Sequence, residues 1–197
     1  MTLFLFSVPI GLGTFVIADP VVRLLYGPKF DGAGPVLAVF GLVLILTYQT
    51  ILLGQYAIAT GRQRLWNMVL GIAIPITIVF DVVMVPVMHE RYDNGAIAGA
   101  LAYIITEGLM VTVGIWKLAP ELASRVLVRR VVVCLAAGGT LVAWAWPLRD
   151  TFIAFPIVAG AVGYVLVLAW LRPFEPHERV LVDRLVSRLP FRPAGEG

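Results

Sequence analysis

Of the 197 residues, 60% are hydrophobic and 14% are charged, whereas a soluble globular domain carries about 25% charged residues. This apolar excess excludes a water-soluble fold and predicts an integral membrane protein. The net charge of +3 does not predict a nucleic-acid partner, because the basic residues are dispersed among apolar runs instead of gathered on one face. A disulfide within the chain is excluded, since Cys134 is the only cysteine.

Six charge-poor runs follow one another along the chain, and each is long enough to cross or nearly cross about 30 Å of hydrocarbon. They are continuously apolar, which favours helices over the alternating strands of a membrane β-barrel. We predict an all-α, polytopic transmembrane bundle of about six helices, near residues 2–18, 35–60, 66–88, 95–116, 131–147 and 152–171. Only a short connection around Arg149 separates the last two runs, so they form a tight hairpin if both cross.

The segment after the last run, residues 173–197, has a different pattern. Five apolar residues recur there at helical spacing among charged residues: Val180, Leu181, Leu185, Val186 and Leu189. The pattern predicts a C-terminal amphipathic helix on the inner membrane surface, attracted by anionic lipid, with a dimerisation helix as the alternative. The predicted organisation is four helices in 1–120, an additional pair in 121–172 and a cytoplasmic tail in 173–197.

Lysine and arginine are shared unequally between the two sides of the predicted membrane. Of the fifteen, four fall in the odd-numbered connections, whereas eleven fall in the even-numbered connections and the tail. Basic residues near helix ends are retained on the cytoplasmic side, so both termini are predicted to be cytoplasmic.

No catalytic pattern is present in the sequence, which lacks HExxH, GxSxG, a glycine-rich phosphate loop and a paired acidic motif. We therefore predict no catalytic residue, no metal site and no cofactor, and a function other than that of an enzyme. What remains are polar and ionisable groups inside the runs. Such groups are costly in lipid and are candidates for function when they face the interior of a bundle.

Glu107 is the sharpest of these candidates, since it lies about twelve residues into the fourth run and so near the bilayer midplane. Ala96, Ala100 and Gly114 fall within about 20° of it around a helix. Small side chains on this line permit a neighbouring helix to approach closely, so Glu107 is expected to face protein or a cavity. A hydrogen-bonded structural residue and a role in substrate or proton handling fit this pattern equally.

Two further lines of polar side chains are candidates for a substrate or ion pathway; for Tyr48 and Gln55, plain interhelical hydrogen bonding is the alternative. The third run carries one line on a single arc: Asn67, Thr77 and Asp81. The second run carries a line that recurs every seven residues: Gly41, Tyr48, Gln55 and Arg62.

The order of features over about residues 3–120 resembles the C-terminal part of polysaccharide biosynthesis membrane proteins of the Wzx flippase type. These are MATE-like members of the multidrug/oligosaccharidyl-lipid/polysaccharide exporter superfamily. The resemblance depends on the order and spacing of short signatures: Pro9, Tyr26-Gly27 with Phe30 and Ala33, Ala59-Thr60-Gly61-Arg62, and Gly95 with Gly99-Ala100 before Glu107. Residues 131–171 resemble an additional helix pair that some members carry. Asp81 departs from the asparagine that relatives tend to have in this span.

The resemblance implies a transporter that moves undecaprenyl-linked oligosaccharide across the bacterial inner membrane by alternating access between two six-helix lobes. Only features of the second lobe are recognised, so either the sequence is a truncated or split product, or a separate chain supplies the first lobe. Besides that chain, the expected partners are membrane lipid and the lipid-linked oligosaccharide. Arg62 and Arg64, at the cytoplasmic mouth, are then candidates to bind the substrate's diphosphate. Positive-inside anchoring is the alternative for each arginine.

Two other hypotheses stand beside the flippase. One is a proton- or Na⁺-coupled drug or metabolite exporter of the same superfamily, working through Glu107 or Asp81. The other is a membrane scaffold subunit with no transport of its own.

Overall fold

The computed structural model describes residues 2–120, 125–149 and 151–171. These residues form six α-helices and two short 3-10 helices, and no β-strand occurs among them. The α-helices are α1 (Thr2–Tyr26), α2 (Ala33–Ala59), α3 (Gln63–Tyr92), α4 (Ala96–Leu118), α5 (Arg125–Ala145) and α6 (Ala154–Leu171). The predicted all-α fold is confirmed.

Five of the described helices, α1 to α5, are long and apolar enough to cross a membrane, so the chain is a multi-pass membrane protein. The sixth, α6, is apolar but shorter: its 18 residues reach about 27 Å at 1.5 Å per residue. Several helices extend beyond the predicted runs, whereas α6 begins two residues later than its run, at Ala154. For example, α1 continues from the predicted end at residue 18 to Tyr26. The amphipathic helix predicted for the tail lies outside the described residues.

Two clusters of buried side chains hold the helices together. The first joins α2, α3 and α4 and contains Leu53, Ala57, Trp66, Val69, Ala73, Met110 and Leu118. The second joins α1, α5 and α6 and contains Val8, Cys134, Ala137, Leu141, Tyr164 and Leu168. The predicted additional helix pair therefore packs on α1.

The two groups of helices meet where α1 crosses α2, at Gly11 and Gly41. A Cβ atom added to Gly41 would lie 2.5 Å from the Gly11 carbonyl oxygen and 2.9 Å from the Phe15 nitrogen. The two backbones are thus in direct contact, the close approach that small residues permit between membrane helices. A larger side chain at either glycine would force the helices apart.

Hydrogen bonds tie neighbouring connections together at each end of the α2–α3–α4 group. In the α3–α4 connection, Asn94 Nδ2 donates to the Gly32 carbonyl, which precedes α2, at 2.7 Å. In the α2–α3 connection, Arg62 Nη1 donates to the Leu118 carbonyl at the end of α4, at 2.6 Å. The successive connections thus lie at opposite ends of the bundle.

A proline inside α1 creates a backbone defect that another helix repairs. Pro9 has no N–H, so the carbonyl of Leu5 lacks its usual helical donor four residues later. That carbonyl instead accepts a hydrogen bond from the hydroxyl of Tyr164 in α6, at 2.8 Å. Tyr164 is buried in the second cluster, so the repair also fixes the position of α6 against α1.

Tyr164→Phe is expected to lower the free energy of unfolding by about 1–2 kcal/mol, because the Leu5 carbonyl loses its partner. In a Pro9→Ala background the N–H of residue 9 is restored, so the same substitution is expected to cost clearly less. A four-variant cycle of unfolding measurements on the detergent-purified chain gives the coupling between the two positions. Tyr103→Phe, at an exposed tyrosine, is the matched control. If Tyr164→Phe lowers the free energy of unfolding equally with and without Pro9, the Tyr164 hydroxyl does not compensate for the proline.

Candidate functional site: a buried polar layer

Five polar side chains lie at the interfaces of α2, α3 and α4: Thr50, Thr77, Asp81, Thr106 and Glu107. We refer to these five residues as the polar layer. Thr106 and Glu107 are neighbours on α4, and successive residues of a helix point about 100° apart. Thr106 therefore contacts α3, whereas Glu107 contacts α2.

Glu107 is the most deeply placed acidic group of the polar layer, with 6% of its surface exposed. It is the twelfth residue of the 23-residue α4 and so lies about 16 Å from the start of that helix. The predicted line of small residues is buried at Ala100 and Gly114, whereas Ala96 is exposed. A Cβ added to Gly114 would lie 2.8 Å from Leu53 Cδ1, so α2 packs directly against this face of α4.

Thr50 of α2 forms a hydrogen bond with the Glu107 carboxyl group through Oε2. The Thr50 hydroxyl also lies 3.2 Å from the Leu46 carbonyl of its own helix. A hydroxyl has one hydrogen and two acceptor lone pairs. It can donate to an ionised Glu107, or accept from a protonated Glu107 while donating to Leu46. Thr50 therefore provides a partner for Glu107 in either protonation state.

A pair of threonines joins α3 to α4 beside this contact. The hydroxyls of Thr77 and Thr106 are 2.8 Å apart, and either can donate. Each also lies within hydrogen-bond distance of a carbonyl of its own helix, Ala73 for Thr77 at 3.0 Å and Ala102 for Thr106 at 2.9 Å. One hydroxyl can thus donate across the interface while the other donates to its own helix.

Asp81 lies one helical turn beyond Thr77 on α3 and carries an unsatisfied oxygen. Its Oδ1 atom is buried and has no hydrogen-bond partner within the described residues. A Cβ added to Gly99 of α4 would lie 4.0 Å from this oxygen, an ordinary van der Waals distance, so α4 passes close beside the carboxyl group. An unpaired buried oxygen costs free energy and calls for an explanation, such as a bound ion or water.

The polar layer offers two carboxyl groups and three hydroxyl groups, all of which are oxygen ligands. Oxygen ligands suit protons and hard cations, whereas thiolate and imidazole groups suit transition metals. No cluster of three or more His, Cys, Asp or Glu residues that could hold a metal ion occurs in the described part of the chain. Proton or hard-cation chemistry is therefore what these groups can support.

The remaining predicted site residues lie outside the polar layer. Tyr48 is half-buried in α2, and Gln55 and Asn67 are exposed on α2 and α3. Arg64 is exposed, and Arg62 is exposed while its side chain bonds to the end of α4. Of the residues predicted for a pathway, Thr77, Asp81 and Glu107 belong to the polar layer.

Thr50 and Thr106 belong to the polar layer but were not predicted from the sequence. A usable signal exists: α2 and α4 run in the same direction, and their ends are joined by the hydrogen bond from Arg62. Thr50 precedes Ala59, the last residue of α2, by nine residues, and Glu107 precedes Leu118, the last residue of α4, by eleven residues. Counting back from the neighbouring helix ends therefore places Thr50 and Glu107 within about one helical turn of the same depth.

Comparison of this chain with protein-family models, with curated proteins and with solved structures gave no match in any of the three. Its functional assignment therefore depends on the polar layer and on the sequence features described above.

Thr106→Val is expected to lower the free energy of unfolding by about 0.5–1.5 kcal/mol, because it removes the hydroxyl that bonds across the α3–α4 interface. Thr77→Val removes the same bond, so the double substitution is expected to cost less than the two single losses combined. Thr112→Val is the matched control on α4, since the exposed Thr112 donates within its own helix to Gly108. The unfolding free energies are measured by denaturant titration in detergent. If the losses of the two single variants add up to that of the double variant, the bond between Thr77 and Thr106 contributes nothing.

Proposed function

We propose that this chain is part of a membrane transporter, the C-terminal portion of a lipid-linked oligosaccharide flippase that works by alternating access. The observation that carries the proposal is the burial of Glu107 at mid-depth of α4, bonded to Thr50 of a neighbouring helix. A carboxyl group is costly in a bilayer, and well-packed apolar residues are often at least as stable as buried polar ones. Its presence therefore favours a function over a purely structural role.

The substrate class comes from the resemblance of residues 3–120 to Wzx-type flippases. On this proposal the substrate is an oligosaccharide linked through a diphosphate to an undecaprenyl-type lipid. Arg62 and Arg64 supply positive charge at the end of the bundle where such a diphosphate would enter. The hydroxyl and carboxyl groups of the polar layer are of the kind that binds sugars or coupling ions.

Alternating access needs two bodies that move against each other, and on this proposal the second body is the other lobe, supplied by a further part of the same protein or by a separate chain. Helix α3 offers a surface for further helices: only 11% of its most apolar 18 residues are buried, against 33% in α1 and α4. This surface is open either to lipid or to a partner.

Asp81 favours a second candidate, a proton- or Na⁺-coupled exporter of the same superfamily. Its buried Oδ1 atom lacks a partner in the described residues and lies beside Gly99 of α4. A proton or a small cation would satisfy this oxygen. Coupling through Asp81 is also compatible with lipid-linked substrates, so the two candidates differ in the substrate that is moved.

Transport can be measured in proteoliposomes that contain this chain and its partner lobe, with a fluorescent oligosaccharide linked to a polyprenyl diphosphate as the probe. Glu107→Ala is expected to slow transbilayer movement by about tenfold, equivalent to about 1.4 kcal/mol on the barrier. Thr112→Val, on the same helix, is expected to leave the rate unchanged. Equal rates for Glu107→Ala and the parent would remove the basis of the proposal. Movement of lipid-free solutes alone would favour the exporter.

We further propose that the protein lies in the bacterial inner membrane with both termini in the cytoplasm, as the eleven-to-four distribution of basic residues favours. In a Cys134→Ala background, single cysteines replace Gln63 at the start of α3 and Glu90 near its end; both positions are exposed. An impermeant maleimide applied to spheroplasts is expected to label position 90 at once and position 63 only after permeabilisation. The reverse order would contradict this orientation.

A further inference from the structure

Arg62 occupies a rigid backbone position at the end of α2. Its N–H donates to the Ala57 carbonyl at 2.7 Å, and the Gly61 N–H donates to the Ile58 carbonyl at 3.1 Å. With Gly61 at φ +69°, these two bonds form a Schellman motif, in which a left-handed residue closes a helix end. The backbone of Arg62 is thus held in place, and its side chain extends toward α4.

The Arg62 side chain satisfies the end of α4. Leu118 is the last residue of α4, so its carbonyl has no donor within the helix. Arg62 Nη1 provides that donor at 2.6 Å, and its positive charge is favourable at the negative end of the helix dipole. The Leu118 side chain is fully buried with Leu53 and Trp66 in the first cluster. This single hydrogen bond therefore connects the α2–α3 connection to the packed end of α4.

Arg62 remains accessible to ligands at this position. The residue is exposed, as are Arg64 and Lys117, the residue that precedes Leu118. Lys117 Nζ lies 4.0 Å from the centre of the Trp116 ring. Arg64 and Lys117 thus lie within two residues, along the chain, of the two partners of a contact in which the acceptor is a neutral carbonyl. Arginine binds phosphate through two parallel, charge-assisted hydrogen bonds, which are about twice as strong as neutral ones.

We propose that the Arg62–Leu118 contact is a latch that a phosphate or diphosphate group opens. The guanidinium group exchanges the Leu118 carbonyl for phosphate oxygens, and Arg64 and Lys117 add to the attraction. The last turn of α4 then loses its tie to the α2–α3 connection. Helix α4 also carries Thr106 and Glu107 of the polar layer. Anion binding at Arg62 therefore affects the helix on which these two residues lie.

This inference depends on the proposed function for the natural ligand, a lipid-linked diphosphate, but the latch can be tested without transport. Hydrogen–deuterium exchange of the full chain in zwitterionic detergent reports the opening of residues 115–119. Adding inorganic diphosphate, against sodium chloride of equal ionic strength, is expected to speed exchange there by about tenfold, the effect of losing one charged hydrogen bond. Nanodiscs with and without anionic phospholipid then distinguish a headgroup from a free diphosphate as the source.

Substitutions at Arg62 and Arg64 distinguish loss of the Arg62–Leu118 hydrogen bond from the general attraction between diphosphate and positive charge. Arg62→Gln is expected to show fast exchange at 115–119 without diphosphate and no further response, whereas Arg62→Lys lies between it and the parent. Arg64→Gln keeps the latch and is expected to respond to diphosphate at a higher concentration. If Arg62→Gln does not fold, the parent chain with and without diphosphate decides the matter.

Two results would overturn the latch. One is unchanged exchange in the parent chain with both diphosphate and anionic lipid. The other is an undiminished response in folded Arg62→Gln. A chain that shows the exchange response but moves no lipid-linked oligosaccharide would instead contradict the proposed function and leave the latch intact.

Discussion

The hydrogen bond between Thr50 and Glu107 imposes the strongest constraint on the α2–α3–α4 group, because a carboxyl group inside a membrane bundle has no bulk water to bond with. The surrounding packing follows from this requirement. Gly114 allows α4 to approach Leu53 closely enough for Thr50 to reach the carboxyl group. Thr106, adjacent to Glu107, forms the corresponding contact with α3. The polar layer and the first apolar cluster, which joins the same helices, therefore stabilise one arrangement of α2, α3 and α4.

The ends of these helices are held by a different kind of contact. Arg62 and Asn94 each place a side-chain donor on a backbone carbonyl across a connection, at opposite ends of the bundle. The Asn94 contact is exposed and the Arg62 contact is partly buried, whereas the bond between Thr50 and Glu107 is buried. The structure thus combines a buried centre that resists change with ends that a ligand can reach. Under the proposed function, this contrast would let binding at the surface act on the buried site.

Much of the fold follows from the sequence because long apolar runs have few alternatives in a membrane. The inward orientation of Glu107 also followed, since Ala100 and Gly114 mark the face of α4 that packs closely. Its partner Thr50 did not, because pairing between helices depends on their relative rotation and depth, which a helical wheel for one helix does not contain. Arg62 shows the same limit: its charge suggested phosphate binding or anchoring, whereas its contact with Leu118 depends on where α4 ends.

The bond between Tyr164 and Leu5 spans 159 residues and has a consequence for how the sequence can diverge. Pro9 is tolerated because α6 supplies the donor that the proline removes. A lineage that loses the α5–α6 pair would therefore come under selection to replace Pro9, and one that keeps Pro9 would come under selection to keep a hydroxyl at position 164. Positions 9 and 164 are therefore expected to change together, although they lie near opposite ends of the described chain.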